Sequence, residues 1–377
     1  MLDQPSTVAN LQGLVKMSEN PVCQRWIPSR IFELKAYQVA SAQGLIKLDA
    51  MESPYVWPSG LQTEWLSTLR QVELNRYPDP TAFELCEDLR RWSGLEGAMG
   101  ILVGNGSDEL IQMIIMALGG PARPVLAPEP TFGMYRINAE VLGSPFVGVP
   151  LADRFAIDRA ALLLAIETHD PGCIFLAYPN NPTGNLFERE TIEAAIDAAN
   201  GLVIIDEAYH PYCGQTFLNE IPGKGHLAVL RTFSKLGLAG LRLGFLTGPE
   251  PWLAQINKVR LPYNISVLAQ ASARFALSHV DWFTQQAEKV CAERRRLHNG
   301  LQELSGLKVY PSAANFLLFR VSEGTASWVF DSLLQQNILI KNLDGQHDRL
   351  RDCLRVTVST PDENDLFLEA LSAAISP

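Results

Sequence analysis

The sequence has few cysteines and no surplus of positive charge, and each shortage excludes a class of protein. The six cysteines are scattered over 377 residues without a CxxC pair or a Cys/His cluster at zinc-ligand spacing. We therefore expect free thiols in a reducing compartment rather than disulfides or a metal site. Lys and Arg number 31 against 41 Asp and Glu, a net charge of −10. Bulk electrostatics thus favour neither nucleic acid nor an anionic membrane as a partner, and any anionic ligand needs a local group of donors.

Long apolar runs, a targeting segment, internal repeats and low-complexity tracts are also missing. No stretch approaches the roughly 18 uninterrupted apolar residues of a membrane span, and the first residues lack a basic region followed by an apolar core. We therefore expect a soluble cytoplasmic protein whose partners are small molecules. With 47% hydrophobic residues, a chain of this length should form about two globular domains.

Short apolar runs alternate with helical patterns through the middle of the chain. Strands buried on both faces read as continuous Val/Ile/Leu runs, and their alternation with helices implies parallel crossovers. We predict an open α/β sheet, in which the ligand binds at the carboxyl ends of the strands. The predicted strands, each followed by a polar or Gly/Pro cluster, are 100–103, 124–127, 173–178, 202–205 and 227–232.

The last third of the chain has a different pattern. A long helical stretch over 265–304 is followed by short strands and helices typical of a smaller α+β unit, which closes with a helix after Pro361. The predicted divisions are an N-terminal arm with part of the small domain over 1–50, a large domain over 51–270, and a connector helix with the small C-terminal domain over 271–377.

Two strand ends carry residues that would be unusual in a plain loop. Lys235 follows the last of these strands, where partial desolvation would lower its pKa and make its amine a Schiff-base nucleophile. Asp206 follows the strand before it, where an unpaired carboxylate would be costly, so we expect a cationic or N–H partner. Taken singly, Lys235 could be a solvated loop residue, and Asp206 could be a helix cap or a member of an ion pair.

The motif GNGSDE at 104–109 precedes a helical pattern and indicates an anion site. We expect Ser107 or Asp108 to be the N-cap, with backbone N–H groups and the helix dipole available to a phosphate. Taken alone, glycines before a capped helix are equally typical of a turn.

Together, an anion site, a lysine, a buried aspartate and a nearby tyrosine meet the needs of pyridoxal phosphate. The aldehyde of this cofactor needs an amine. Its pyridine nitrogen needs an acid partner, and its ring needs an aromatic neighbour. Its phosphate needs N–H groups, a hydroxyl and a guanidinium. The candidates are Lys235 for the aldehyde, Asp206 for the nitrogen, Tyr209 and Asn181 for the phenolic oxygen, Phe132 for stacking, and Gly106, Ser107, Ser234 and Arg242 for the phosphate.

Three longer blocks carry a resemblance to a known family. AYPNNPTG at 177–184, DEAYHPY at 206–212 and RTFSKLGLAGLRLGF at 231–245 closely resemble the signature blocks of fold-type I pyridoxal-phosphate aminotransferases. GNGSDE, PTFGMY, NRYPDP and CLRVTVSTP are similar to those of the histidinol-phosphate aminotransferase branch. The resemblance implies a large domain with a mostly parallel seven-stranded sheet, a small α+β domain, bound pyridoxal phosphate and a homodimer.

The resemblance also assigns roles to the matching residues. Lys235 would bind the cofactor covalently and shuttle a proton between the substrate α carbon and C4′ of the cofactor. Asp206 would pair with the pyridine nitrogen. The other cofactor contacts would come from Gly106, Ser107, Asp108, Phe132, Asn181, Tyr209, Ser234, Arg242 and Tyr77 of the partner subunit, and the substrate contacts from Arg355, Lys341 and Tyr37.

Three positions depart from the family pattern. Lys235 and Arg242 are one residue closer than in the SKAFGLAGLR spelling, although a shorter form also fits the family. Ser53 stands in MESPY where NENPY is more usual, which leaves an arm contact in doubt. Lys341 stands where relatives tend to have Arg, so a point charge replaces a bidentate fork beside the substrate phosphate. We interpret His210 of the DEAYHPY block as a neutral residue that lies next to the site and does not bind the substrate.

The implied reaction is transamination, in which L-histidinol phosphate and 2-oxoglutarate give imidazole acetol phosphate and L-glutamate in histidine biosynthesis. An aromatic or broad amino-acid aminotransferase stays open, with Arg355 binding a carboxylate. A threonine-phosphate decarboxylase, which shares the scaffold and a phosphorylated substrate, also stays open. A regulatory relative would need a basic DNA-binding module, and neither residues 1–50 nor the acidic balance supplies one.

Overall fold

The computed structural model describes residues 25–34, 36, 41–95 and 99–375. Its strands form sheets of seven, four and two strands. In chain order they are β1 (Ile46–Lys47), β2 (Met99–Gly104), β3 (Val125–Glu129), β4 (Phe146–Pro150), β5 (Cys173–Ala177), β6 (Leu202–Asp206), β7 (Leu227–Thr232), β8 (Gly244–Pro249), β9 (Lys308–Val309), β10 (Phe316–Arg320), β11 (Ile338–Leu339), β12 (Lys341–Asn342) and β13 (Cys353–Thr357). The apolar runs singled out in the sequence correspond to β2, β3, β5, β6 and β7.

Helices connect most of the strands and dominate the stretch between the large sheet and the C-terminal strands. In chain order they are α1 (Ser29–Phe32), α2 (Ser59–Leu69), α3 (Phe83–Trp92), α4 (Ser107–Leu118), α5 (Met134–Leu142), α6 (Arg159–His169), α7 (Arg189–Ala198), α8 (Glu250–Ile256), α9 (Val267–Ser278), α10 (Val280–Glu303), α11 (Ala326–Gln335) and α12 (Pro361–Ile375). The predicted helical connector therefore consists of two helices that meet at His279. In the part of the chain that the structure describes, no helix is long and apolar enough to cross a membrane.

The seven-stranded sheet has the strand order β2-β8-β7-β6-β5-β3-β4. Its neighbouring strands are parallel except at β2–β8 and β7–β8, so the predicted mostly parallel α/β sheet is confirmed. Sequence analysis does not predict β4 and β8. Glycine interrupts both apolar runs, at Gly148 in β4 and at Gly248 in β8, and both strands end in proline, which weakens a strand pattern.

The central strands β5, β6 and β7 are buried along their whole length. Successive residues enter the hydrophobic clusters on opposite faces of the sheet, as Val203 and Ile204 do. Since these strands are parallel, their carboxyl ends lie side by side. In the register of the sheet, Ala177 pairs with Asp206, and Asp206 pairs with Leu230.

The smaller sheets are formed by the C-terminal strands together with β1. The four-stranded sheet is antiparallel with the order β12-β13-β10-β9. In the two-stranded sheet, β1 pairs in parallel with β11, with Ile46 opposite Ile338. Leu48 and Met51 belong to the same hydrophobic cluster as the C-terminal strands. Residues 46–51 therefore pack with the C-terminal unit.

Candidate active site

The carboxyl edge of the large sheet borders a cavity of about 220 Å3, here called the first cavity. It lies where ligands bind in open α/β sheets. Residues from separate parts of the sequence meet there because the strands that precede them are neighbours. The predicted site residues that line it are Ser107, Asp108, Phe132, Asn181, Asp206, Tyr209, Ser234, Lys235 and Arg242.

Lys235 lies in a short helical turn, Ser234–Leu236, that begins two residues after β7. Its Nζ atom donates a hydrogen bond to the carbonyl oxygen of Ala50 at 3.0 Å. Burial, assisted by the positive charge of Arg355, lowers the pKa of Lys235 to about 8. The amine is therefore far more readily neutral, and hence nucleophilic, than a solvated lysine.

Asp206 is the last residue of β6 and is buried. One carboxylate oxygen accepts from the backbone N–H of Ala208 at 3.0 Å, and the other accepts from the hydroxyl of Tyr135 at 2.6 Å. The expected N–H partner is thus present, and the second partner is a hydroxyl rather than a cation. Burial raises the pKa of Asp206 to about 6, against the effect of these two hydrogen bonds.

Tyr135 is a site residue that sequence reasoning missed. It lies on α5, three residues after Phe132, and its ring stacks on Phe175 with centroids 4.6 Å apart. It lines the first cavity. The only signal was its place at the end of the PTFGMY block, since a tyrosine in an amphipathic helix is usually read as core.

Gly106, Ser107, Ser234 and Arg242 form a cradle at the start of α4, here called the anion cradle. Gly106 is the N-cap, with φ of 83°. The prediction of Ser107 or Asp108 as N-cap is therefore wrong, because the helix begins at Ser107 and the turn before it needs the left-handed backbone of glycine. Arg242 contacts Ser234 Oγ at 3.4 Å and Asp108 Oδ2 at 3.3 Å, so these side chains converge.

Arg355 connects the small sheet to the first cavity. It is buried on β13, and its guanidinium donates to Asn181 Oδ1 at 2.5 Å and to the carbonyl oxygen of Asp49 at 2.9 Å. Asn181 was predicted to face a cofactor oxygen, and its carbonyl group is instead bonded to Arg355. Its amide nitrogen is the group that could donate to a ligand.

A second cavity of about 370 Å3 adjoins the first and shares Met51, Phe132 and Asn181 with it. Lys341 and Arg355 line it and are directly opposite each other on β12 and β13. Like charges in that position repel unless an anion lies between them. Within the described residues, no carboxylate forms an ion pair with Lys341.

The segment that supplies Ala50 is also outside the predicted site. Met51, with φ of 55°, donates its backbone N–H to Thr357 Oγ1 at 3.0 Å and accepts from Asn315 Nδ2 at 2.9 Å. Ser53, whose role was in doubt, accepts weakly from the N–H of Tyr55 at 3.4 Å. The small sheet thus fixes a backbone carbonyl beside Lys235.

A buried ion pair supports the strands that carry Asp206 and Lys235. Glu207 accepts two hydrogen bonds from the guanidinium of Arg231, at 2.8 and 3.0 Å, and a third from the backbone N–H of Phe217 at 2.6 Å. Because Glu207 follows β6 and Arg231 lies on β7, the pair fixes the two strand ends relative to each other.

Two of the residues singled out in the sequence, Tyr77 and His210, lie apart from these cavities. Tyr77 is 79% exposed, stacks on Tyr263 with centroids 4.5 Å apart, and does not line either cavity in its own subunit. Tyr37 lies outside the described residues. His210 lines neither cavity, and burial with the nearby charge of Arg231 lowers its pKa to about 3, so it is neutral as interpreted.

Comparisons with known proteins agree with this geometry. The chain is 51% identical over 357 residues to histidinol-phosphate aminotransferase 2 of Nitrosococcus oceani, covering 95% of this chain and 99% of that protein. It is 47% identical over 357 residues to histidinol-phosphate aminotransferase 2 of Cupriavidus pinatubonensis, covering 93% and 97%. Both relatives therefore match along nearly their whole length.

A solved structure and a family profile extend the comparison. The histidinol-phosphate aminotransferase of Sinorhizobium meliloti, in complex with pyridoxal-5'-phosphate, superposes with a TM-score of 0.83 at 25% identity, covering 93% of this chain and 97% of that one. The profile of the family described as aminotransferase class I and II matches residues 45–371. The chain belongs to the aminotransferase class I and II family.

Proposed function

We propose that this protein is a pyridoxal-phosphate-dependent aminotransferase that transfers the amino group of L-histidinol phosphate to 2-oxoglutarate, in the cytoplasm, as a step of histidine biosynthesis. The observation that carries the proposal is the first cavity, which Lys235 and Asp206 line beside the anion cradle. The names of the two relatives and the cations of the second cavity support the choice of substrate. The five described cysteines are free thiols, in keeping with a reducing compartment.

The residues present fit pyridoxal phosphate. A Cβ at Gly106 would lie 2.8 Å from Nη2 of Arg242, so any side chain there would fill the cradle that a phosphate needs. The N-terminal amides of α4 point toward the same place. The holding residues would be the anion cradle for the phosphate, Asp206 for the pyridine nitrogen, Asn181 and Tyr209 for the phenolic oxygen, Phe132 for the ring face and Lys235 for the aldehyde, with Asp108 orienting Arg242.

The chain's own residues manage the protons of the reaction. Bound pyridoxal phosphate supplies an electron sink for the bond that breaks at the substrate α carbon. Lys235 takes and returns the proton at that carbon, and its pKa of about 8 leaves part of the amine neutral near neutral pH. When the amine holds the proton, the carbonyl oxygen of Ala50 is its acceptor. Asp206 holds a proton on the pyridine nitrogen.

We place the substrate phosphate in the second cavity, between Lys341 and Arg355. A phosphate there would be attracted by both cations, which line the same cavity, and could accept several charge-assisted hydrogen bonds. The nearby Glu129 is already neutralised, because Arg136 binds both of its carboxylate oxygens. The second cavity therefore presents positive charge although the whole chain has a net charge of −10.

We also propose a homodimer in which Tyr77 of the partner subunit completes the cofactor phosphate site. Tyr77, Leu74 and Leu261 are each more than 70% exposed. Exposed apolar side chains that adjoin a stacked aromatic pair are typical of an interaction surface. Sedimentation analysis of the purified protein should give twice the chain mass of 41.6 kDa, and a mass of one chain would contradict the dimer.

The domain divisions at 1–50, 51–270 and 271–377 stay part of this proposal. The pairing of β1 with β11 supports assigning the first segment to the small domain. The packing of Leu48 and Met51 with the C-terminal strands supports it further.

A half-reaction panel tests the proposed substrate. L-Histidinol phosphate, L-phenylalanine, O-phospho-L-threonine and L-glutamate are added singly to the purified holoenzyme, and loss of the visible absorbance of the lysine-bound cofactor is followed. We expect histidinol phosphate and glutamate to convert the cofactor, with histidinol phosphate faster than phenylalanine. A faster reaction with phenylalanine would favour an aromatic aminotransferase, and release of carbon dioxide from phosphothreonine would favour a decarboxylase.

A further inference from the structure

The hydroxyl of Tyr135 lies 2.6 Å from Asp206 Oδ2, and both residues are buried. The ring of Tyr135 has no freedom to move away. It stacks on Phe175 with an interplanar angle of 10°, and it meets Phe132 edge to face with centroids 5.6 Å apart. Its backbone N–H is bonded to the carbonyl oxygen of Phe132 at 3.2 Å. The tyrosine is therefore a fixed donor aimed at one oxygen of the carboxylate.

The two hydrogen bonds on Asp206 determine the plane of its carboxylate. Ala208 donates to Oδ1 at 3.0 Å from the chain that follows β6, and Tyr135 donates to Oδ2 from α5. Each oxygen keeps a lone pair for another donor. With only the Ala208 bond, the carboxylate could rotate about its last torsion, which is a soft one.

We propose that Tyr135 is a positioning residue that acts through Asp206: its hydroxyl fixes the carboxylate plane and keeps the carboxylate ionised, so that Asp206 can hold a proton on the pyridine nitrogen of the cofactor. The inference rests on the proposed use of pyridoxal phosphate. It adds a residue whose hydroxyl is bonded to Asp206 Oδ2.

The groups that favour the ionised form of Asp206 are neutral hydrogen-bond donors. The titratable groups that face it are Tyr135 on α5, Glu207 and Tyr209 after β6, and Asp108 on α4. The acidic groups among them oppose ionisation, as does burial. Within the described residues no cation forms an ion pair with Asp206. The hydroxyl of Tyr135 is the largest influence that lowers its pKa, ahead of the Ala208 N–H.

If the hydroxyl is removed, the pKa of Asp206 rises above about 6, and the neutral acid extends to higher pH. A neutral Asp206 binds a protonated pyridine nitrogen less tightly than a carboxylate does. Tyr135→Phe should therefore weaken cofactor binding while leaving the core packing of the ring in place.

A double-mutant cycle tests the inference. Apoprotein is prepared as wild type, Tyr135→Phe, Asp206→Asn and the double variant, and the dissociation constant of pyridoxamine phosphate is measured for each. This probe cannot bond covalently to Lys235, so its affinity reports the contacts of the ring and phosphate alone. Tyr310→Phe, in a different part of the large core, is the matched control, and the thermal midpoint of each apoprotein checks the fold.

We expect Tyr135→Phe to weaken the binding of pyridoxamine phosphate by about ten- to a hundredfold, the range of a hydrogen bond to a charged group. In the Asp206→Asn background the same change should have an effect of about twofold or less, because the two residues act as one unit. Tyr310→Phe should match the wild type. The inference is wrong if Tyr135→Phe binds the probe like the wild type, or if the two single effects simply multiply.

The outcome separates this inference from the proposed function. Coupling in the cycle without a half-reaction from histidinol phosphate would leave Tyr135 in its role and overturn only the substrate. Turnover of histidinol phosphate without coupling would overturn only the role of Tyr135. Should Tyr135→Phe prove too unstable to purify, Asp206→Asn and the double variant still give one side of the cycle. An effect above about twofold on that side contradicts the inference.

Discussion

The first and second cavities are built in different ways. The first lies where neighbouring parallel strands end, and the Glu207–Arg231 pair fixes two of those ends relative to each other. The second has Lys341 from β12, Arg355 from β13 and Arg136 from α5 in its lining and is partly open, with Lys341 half-exposed. Under the proposed function, cofactor binding would depend on the register of one sheet, whereas substrate choice would depend on Lys341 and Arg355, which a separate sheet presents.

The largest effect should come from the first cavity. Lys235→Ala removes the only lysine among the described residues that line it. Transamination should therefore fall by at least about 10³-fold, and the visible absorbance of the lysine-bound cofactor should disappear. Spectra and single-turnover rates of the purified variant measure both. If borohydride reduction attaches the cofactor to a different lysine of this variant, Lys235 does not have its assigned role.

The buried ion pair should matter for stability more than any surface pair. Glu207→Gln leaves Arg231 as an uncompensated buried charge, so the free energy of unfolding should fall by about 3 kcal/mol. Urea denaturation of the apoprotein measures it. Glu193→Gln, which breaks a half-exposed helix pair with Arg189, is the control and should change the stability by about 0.5 kcal/mol or less. Equal losses in the two variants would contradict a special role for the buried pair.

Substitution of one arginine in the first cavity and of one in the second tests whether the two cavities act independently. Arg242→Met should weaken cofactor binding by about ten- to a hundredfold and leave KM for histidinol phosphate nearly unchanged at saturating cofactor. Arg355→Met should raise that KM by a similar factor with little loss of cofactor. Each variant is the control for the other. If both changed the same parameter, the division into a cofactor cavity and a substrate cavity would be wrong.

A smaller effect should come from the charge of Arg355 in the second cavity, which lowers the pKa of Lys235 in the first. Only the neutral amine of Lys235 attacks the cofactor aldehyde, so capture of pyridoxal phosphate by the apoprotein should quicken about tenfold per pH unit below a pKa of about 8 and level off above it. Because the charge of Arg355 lowers this pKa, Arg355→Met should move the midpoint to higher pH. Stopped-flow absorbance over a pH series measures it, and a midpoint near 10.5 in the wild type would contradict the account.

Sequence analysis predicts those strands of the large sheet that consist of a continuous apolar run. The apolar runs of β5 and β6 and the first four residues of β7 are uninterrupted because both faces of each strand are buried. The last residues of these strands, Ala177, Asp206 and Thr232, line the first cavity. β4 and β8 were missed since glycine and proline within a strand look the same as a turn when only neighbours in sequence are considered.

Inference from sequence neighbours alone is limited at the site as well. Lys235, Asp206 and Arg242 lie in local motifs with a recognisable chemistry, and the structure brings them to one cavity. The carbonyl group of Ala50 carries no side-chain signal, and the adjacent Met51 is fixed by donating its backbone N–H to Thr357, 306 positions away. Tyr135 was missed for a related reason, because its role depends on a strand that follows it by about seventy residues.

The central claim is that the second cavity selects a phosphorylated amine. The most direct measurement compares kcat/KM of the wild-type holoenzyme for L-histidinol phosphate and for unphosphorylated L-histidinol, with 2-oxoglutarate as acceptor. With the substrate phosphate placed against Lys341 and Arg355, the account predicts a preference for the phosphorylated substrate of about a hundredfold or more. Equal kcat/KM values for the two substrates would contradict it.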